Sequence, residues 1–484
     1  MTTARKVGFL CLAICLPGLC RPNAALELPN TPVAAVAGEW LRLCQAPNLE
    51  RFTHWIIANV AVDTDARAAG IARENTDFCQ DNGALEAIEV IESSPQKLTL
   101  QARGANSGIW YELRWSVNDA GKINGGRKFP VTPPETSLPR DLSDAGIARY
   151  VRDAVVRQSR AGLFSGIVMV ARGSKVIVSS SGGFANRDRK TPVTGATQFT
   201  LGSMGKLFTA VAIGQLIDRG KLSLTDTVGR FFPDYPNATV REQVTVEMLL
   251  SHTAGLGDFL SRRTPAMMTS GVKRAAEFMP LYERDEPKFA PGSSWSYSNA
   301  GLALAGAIVE QVSGEEYPSY LRNHIFAVAG MTNSDPNNIP HGTSALVTPY
   351  TRISEQGEIG DWEEAEHDIG SPAGGSISTS SDLLRFADSL RNGRLISKAT
   401  FETLVKPNAH SPPGYPYGDA FEIHSIYGRT TAGHSGGFPG VSTDLRLFLD
   451  SNYTVVVLAN LDFAAESATE MAAAAVAERL KLSK

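Results

Sequence analysis

A serine hydroxyl becomes a nucleophile when a base lies within hydrogen-bond reach of it. Ser-x-x-Lys is one compact way to arrange this, because residues three apart share a face of a helix. The 484-residue chain holds three such pairs: Ser94/Lys97, Ser203/Lys206 and Ser270/Lys273. Ser94 adjoins Pro95 ahead of a strand-like run and reads as surface loop, while Ser270 precedes Gly271 in a polar region. Only Ser203 stands just before an apolar helical stretch, Leu207 to Arg219, stopped at Gly220. Free N–H groups and the dipole at such a helix start favour developing negative charge. Taken alone, Ser203 also fits a helix N-cap with a solvated lysine beside it.

A different serine competes for the role. Gly433-His434-Ser435-Gly436-Gly437 fits Gly-x-Ser-x-Gly, the strained turn that carries the nucleophile of α/β-hydrolases. In those enzymes an acid and then a histidine follow the serine. Here His434 is the last histidine, and fewer than 50 residues remain after the motif. Chain order therefore sets Ser435 aside as nucleophile. Tyr297-Ser298-Asn299, by contrast, precedes an apolar helical stretch, whereas Tyr235-Pro236-Asn237 carries an internal proline and reads as a turn.

These residues need a scaffold. Asp141 to Arg160 has the period of an amphipathic helix, and Gly166–Ala171 and Lys175–Ser180 read as two strands around the turn Arg172-Gly173-Ser174. From Val246 to Arg391 the chain is mostly helices and glycine-rich loops. Strand patterns return at Ala420–Tyr427, Val441–Leu449 and Tyr453–Leu458, and a helix from Ala464 to Leu482 follows. Strands at both ends imply one sheet assembled from distant segments, with a helical insert. Ahead of this body, the proline-rich run Phe129 to Pro139 reads as a linker. It follows helices at Val33–Cys44 and Leu49–Val60 and strands at Lys97–Ala102 and Ile109–Val117, a small α+β unit with no convincing catalytic set.

Ser203-x-x-Lys206, Tyr297-x-Asn299 and His434-Ser435-Gly436, in that order, resemble the serine β-lactamase and penicillin-binding-protein superfamily. The resemblance is nearest its class C β-lactamase, D-alanyl-D-alanine carboxypeptidase and family VIII carboxylesterase branch. Leu249-Leu250-Ser251-His252-Thr253-Ala254-Gly255-Leu256 and Gly370-Ser371-Pro372-Ala373-Gly374-Gly375 support it, over residues 141–484. It implies a β-lactamase/transpeptidase-like α/β (α+β) fold: a mainly antiparallel sheet, flanking helices and a helical insert. The segment 26–129 resembles the small cystatin-like or NTF2-like modules that precede some bacterial serine hydrolases, joined by the linker at 130–140.

The resemblance also implies roles. Ser203 forms an acyl-enzyme, and Lys206 accepts its proton or keeps the neighbourhood electropositive. Tyr297 shares that proton and delivers it to the leaving group; its phenol pKa must fall or be bypassed, with Lys206 nearby to supply a cationic field, and the formal base is left open between the two. Asn299 holds lysine and substrate; as residues alone, it also reads as a helix N-cap. Gly437 supplies a backbone N–H to the oxyanion beside that of Ser203, and Gly436 and Gly437 let the carbonyl approach without a Cβ clash. Ser435 orients substrate or relays a proton. His434 replaces the lysine of Lys-Thr-Gly, and the chain holds no Lys-Thr-Gly or Lys-Ser-Gly. A neutral imidazole is a poor anchor for a β-lactam carboxylate. An ester or a D-amino-acid amide or peptide is the expected substrate, with an idle cell-wall-peptide binder or a weak β-lactamase as alternatives.

Composition narrows the setting. Net charge is -4 without a basic block, which gives no reason to expect nucleic acid. Arg5 and Lys6, the apolar run Val7–Leu19 and the small residues ending at Ala25 make residues 1–25 a secretory signal. That run is shorter than the ~20 residues a bilayer needs, so no transmembrane segment is expected in the mature chain. Export to the periplasm or exterior makes a disulfide between Cys44 and Cys79 plausible. The histidines show no paired metal spacing, so neither metal nor other cofactor is expected.

Overall fold

The computed structural model describes residues 26–263, 267, 274–337, 346–351, 360–361 and 370–482. The expected signal at 1–25 and the pair Ser270/Lys273 lie outside the described residues.

The first unit pairs three helices with one sheet. Helix α1 (Pro32–Gln45) is capped by Thr31, α2 (Leu49–Asn59) by Asn48 and α3 (Asp65–Asn82) by Thr64. Each cap side chain accepts a backbone N–H left open by the first helical turn. A Cys44–Cys79 disulfide, with 4.9 Å between Cα atoms, ties α1 to α3. The sheet is an antiparallel meander of β1 (Leu85–Ser93), β2 (Lys97–Gly104), β3 (Trp110–Val117) and β4 (Ile123–Pro130). Its register puts Leu98 opposite Trp115 and Leu100 opposite Leu113, and these pack against Trp40, Phe52 and Ile56. Helix α3 and strands β1 and β4 have weak signatures. The buried stripe of α3 is Ala68, Ala72, Asn75, Thr76, Cys79 and Asn82, too small and polar to register as an apolar period.

The proline-rich run is not a free tether. β4 already takes in Phe129 and Pro130, and Glu135–Ser137 forms a helical turn. Thr132 then bonds Glu470, the Tyr427 hydroxyl donates to the Pro133 carbonyl, and Lys481 pairs with Glu135. Prolines lack N–H donors, but their carbonyls and neighbouring side chains still make these contacts.

The second unit is built on a six-stranded antiparallel sheet drawn from both ends of the chain. After α4 (Asp144–Arg160) come β5 (Gly166–Arg172) and β6 (Lys175–Gly182). Helices α5 (Lys206–Asp218) and α6 (Asn299–Ser313) belong to the intervening stretch. Strands β7 (Glu422–Ile426), β8 (Arg429–Phe438), β9 (Val441–Phe448) and β10 (Tyr453–Ala459) follow, then α7 (Ala464–Leu482). The sheet order is β7-β8-β9-β10-β5-β6, with Val168 opposite Val457 at the join. Alternation along each strand feeds two cores. Val168, Val170, Val455 and Val457 face α4 and α7, while Ile167, Met169, Val456 and Leu458 face α5 and α6.

Helix α5 is the centre of this second core. Residues Lys206 to Leu216 are all buried, so its apolar residues run round the whole helix instead of forming a stripe. A lysine at the head of such a helix must find partners inside the protein.

Candidate active site

Ser203 lies in the tight helical turn Gly202–Gly205, and Lys206 opens α5 directly behind it. Gly202 takes φ +56, a left-handed conformation that glycine adopts without a Cβ penalty. Lys206 is fully buried, and its Nζ lies 2.9 Å from Ser203 Oγ and 2.9 Å from Asn299 Oδ1. It also donates to the Ala373 carbonyl. Burial lowers the Lys206 pKa from 10.5 to about 7, although Asp258 and Glu422 pull the other way. Near neutrality both forms are then populated. The neutral amine has two N–H donors for Asn299 and Ala373 and one lone pair for the Ser203 proton.

The N-cap of α6 is Ser298, whose hydroxyl accepts from Gly301 N at 2.9 Å. Asn299 is thereby freed from capping. Its Oδ1 faces Lys206, and its Nδ2 donates to Asp258 Oδ2 at 2.7 Å. Asp258 had no sequence signal beyond its place after the Leu249–Leu256 stretch.

The Tyr297 ring packs between Lys206, whose Nζ is 4.8 Å from its centroid, and His252, at 4.4 Å between centroids. Its hydroxyl hydrogen-bonds Ser203. Burial raises the phenol pKa, and Glu422 and Asp258 add to the effect, outweighing the Ser203 bond. Of the two routes open to the phenol, a lowered pKa or a bypass of its ionisation, the raised pKa favours the bypass. A buried phenol loses solvation on ionising, and a lysine that is itself half neutral offers little compensating field.

The stretch Gly433–Gly437 is strand, not loop, and pairs with β9 from Gly433↔Arg446 to Gly437↔Ser442. Gly437 lines a pocket of about 50 Å³ with Ser203, Asn299, Leu260, Arg263 and Phe438. The expected reason for its two glycines divides. A Cβ on Gly436 would lie 2.0 Å from the Leu201 carbonyl, whereas one on Gly437 meets nothing within 4 Å. Gly436 is required by close approach to the chain just ahead of Ser203, not by substrate.

His434 and Ser435 are placed differently from the sequence reading. Both ring nitrogens of buried His434 have protein partners, Tyr417 OH at 2.9 Å and the Ser435 carbonyl at 2.5 Å, so it does not present a cation to the cleft. Ser435 N and Oγ donate to Glu422 at 3.0 and 2.7 Å, which commits them to a buried carboxylate. Burial alone would raise the Glu422 pKa; nearby His434 and His424 and a hydrogen bond from Tyr415 hold it well below the usual carboxylate range. Tyr417 and Glu422, reached from loop and strand far from any motif, carried no sequence signal.

Among the described residues no group of three His, Cys, Asp or Glu is arranged to hold a metal ion, and no helix is long and apolar enough to cross a membrane. A larger depression of about 820 Å³ sits on the first unit, rimmed by Trp40, Trp55, Lys97, Glu112, Arg114 and Arg127. Its rim mixes the two faces of β3, Arg114 with Trp115, and it contains no nucleophile with a base.

A serine one turn from a buried lysine, on an antiparallel sheet with helices on both faces, defines the β-lactamase/transpeptidase class of fold. The Beta-lactamase family model matches residues 147–479, and the chain belongs to that family. Penicillin-binding protein 4* of Bacillus subtilis (strain 168) is 31% identical over 314 residues, spanning 61% of this chain and 68% of its own length. A penicillin-binding protein structure from Bacillus halodurans is 28% identical with TM-score 0.59, covering 67% of this chain and 98% of that one. The D-amino acid amidase of Ochrobactrum anthropi SV3 complexed with D-phenylalanine is 25% identical with TM-score 0.59, covering 70% and 99%.

Proposed function

We propose that the protein is an exported serine hydrolase that cleaves an ester or a D-amino-acid amide or peptide bond through an acyl-enzyme on Ser203. The observation that carries this reading is the 2.9 Å contact between Lys206 Nζ and Ser203 Oγ, with Lys206 poised near neutrality. The Lys206 amine takes the Ser203 proton as Oγ attacks the substrate carbonyl carbon. The oxyanion that forms is met by the N–H groups of Ser203 and Gly437. As the tetrahedral intermediate collapses, the proton passes from Lys206, with Tyr297 as relay, to the departing amine or alcohol. Water then repeats the cycle on the acyl-enzyme and releases Ser203.

The substrate class rests on two points. The position where many relatives carry a lysine for a substrate carboxylate holds His434, buried and occupied. The similar structure from Ochrobactrum anthropi SV3 is that of a D-amino acid amidase. Export is supported by the charged and apolar N-terminus and by the Cys44–Cys79 disulfide, which persists in oxidising compartments. A fluorophosphonate should label Ser203 in the purified protein, and Ser203→Ala should abolish both labelling and hydrolysis of p-nitrophenyl esters and D-alanyl amides. Undiminished turnover in that variant would refute the proposal.

A further inference from the structure

Behind Tyr297 lies a chain of buried polar groups that the reaction above does not use. The Ser298 N–H lies 3.1 Å from His252 Nδ1, His252 Nε2 is 3.0 Å from Tyr417 OH, and Tyr417 OH is 2.9 Å from His434 Nε2. His434 Nδ1 then reaches the Ser435 carbonyl at 2.5 Å, with Glu422 Oε1 at 3.6 Å. His252, Tyr417 and His434 are each at most 1% exposed.

The protons in this chain have one consistent arrangement. A backbone N–H only donates, so His252 Nδ1 is the bare nitrogen and its proton sits on Nε2. His252 Nε2 therefore donates to the Tyr417 oxygen. A phenol has one proton, which must then go to His434 Nε2. That leaves the His434 proton on Nδ1, where a carbonyl oxygen waits for it. Every donor meets an acceptor, which is how a buried polar network stabilises a single geometry. Burial keeps both imidazoles neutral, against the pull of Glu422.

The chain's two ends are the two walls of the site. Ser298 lies between Tyr297 and Asn299, while His434 and Ser435 precede Gly437 on β8. His252 also stacks on the Tyr297 ring and accepts Ser296 N–H at its carbonyl. Its backbone holds φ +62, a conformation that non-glycine residues adopt only when the surroundings enforce it. We propose that Tyr417 is a positioning residue: with His252 and His434 it forms a one-way hydrogen-bond chain that fixes Tyr297 and Asn299 relative to the oxyanion strand. This rests on the reading of Ser203 as nucleophile.

The full chain and Tyr417→Phe, which deletes only the shared hydroxyl, are compared with p-nitrophenyl acetate, each normalised to sites titrated by fluorophosphonate. The expected result is a kcat per titrated site lower by about 10- to 100-fold, as small misalignment produces, with KM changed by less than about twofold. A variant that merely folds poorly loses titrated sites but keeps kcat per site, and that outcome overturns the proposal. Independently, histidine-labelled wild-type protein at pH 7 should show long-range ¹H–¹⁵N patterns of a neutral Nε2–H tautomer for His252 and a neutral Nδ1–H tautomer for His434. Any other pair of states overturns the chain even if Tyr417→Phe does not fold. Absence of Ser203 labelling in the wild type would instead overturn the hydrolase reading, together with the positioning role, and leave the tautomers to test the chain itself.

Discussion

Lys206 Nζ stands 2.9 Å from Ser203 Oγ with no water-exposed surface of its own. The base is thus withdrawn from solvent, while half-buried Ser203 lines the pocket. The pKa of about 7 follows chiefly from that burial. Deprotonated amine is the form that accepts the serine proton, so labelling of Ser203 should rise with pH through a midpoint near 7 and then level off. The same shift acts on stability. Between about pH 7 and 10.5 the unfolded chain binds more protons at this lysine than the folded one, so this group makes folding more favourable as pH rises across that window. Replacing Lys206 with Met should slow labelling by about 100-fold or more. A labelling rate flat from pH 5 to 9 would remove lysine from the role of base.

Tyr297 should behave as a relay and not as the base. With its phenol pKa raised by burial, it stays neutral across the working range. Tyr297→Phe should therefore leave the midpoint near pH 7 in place while lowering turnover by about 100-fold. Loss of the midpoint itself in that variant would transfer the base role to tyrosine.

Much of this was legible in the sequence because it is local. Ser203 and Lys206 sit one turn apart on one helix, and Tyr297 and Asn299 flank a helix start, so spacing alone brings each pair together. The α7 limits, Ala464–Leu482, match the sequence reading because alanine-rich periodicity runs unbroken between them. What escaped depends on distant segments. Tyr417 and Glu422 acquire meaning only when β7 pairs with β8 and places Glu422 opposite Gly433. Histidine at 434 read as a cleft residue because strand position does not reveal what stands across the core. The packing demand on Gly436 escaped for the same reason: the Leu201 carbonyl that presses on it is over 200 residues away.

That contrast between neighbours makes a sharp comparison. Gly436→Ala must displace the Leu201 carbonyl and Thr443 Oγ1, at 2.0 and 2.4 Å from the new methyl group, and should cost about 1–3 kcal/mol or more. Gly437→Ala should melt within about 0.5 kcal/mol of wild type and still label at Ser203. Thermal melts decide the matter; equal stability for the two variants would contradict the close packing at Gly436.

The Cys44–Cys79 bond closes a loop of 35 residues inside the first unit. Reducing it should destabilise that unit by about 2–4 kcal/mol, while Ser203 labelling at 25 °C persists. Two transitions in a calorimetric scan, of which only one moves on reduction, would be the signature. If labelling vanished with the disulfide, the accessory unit would be part of the catalytic machinery.

Asp258 offers a test in which charge and geometry separate. Its carboxylate accepts Asn299 Nδ2 at 2.7 Å, which turns Asn299 Oδ1 toward Lys206, and its charge raises the lysine pKa. Asp258→Asn can keep the hydrogen bond through its own Oδ1 while losing the charge. Without that charge less opposes the effect of burial, so the midpoint of the labelling profile should move to lower pH, with the plateau rate nearly unchanged. Asp258→Ala loses both, leaves the Asn299 amide free to turn, and should lower the plateau as well. Added salt should shrink the first shift, because Asp258 is exposed and its field is screened. A midpoint that rises in Asp258→Asn would show that this carboxylate does not act on Lys206 through its charge.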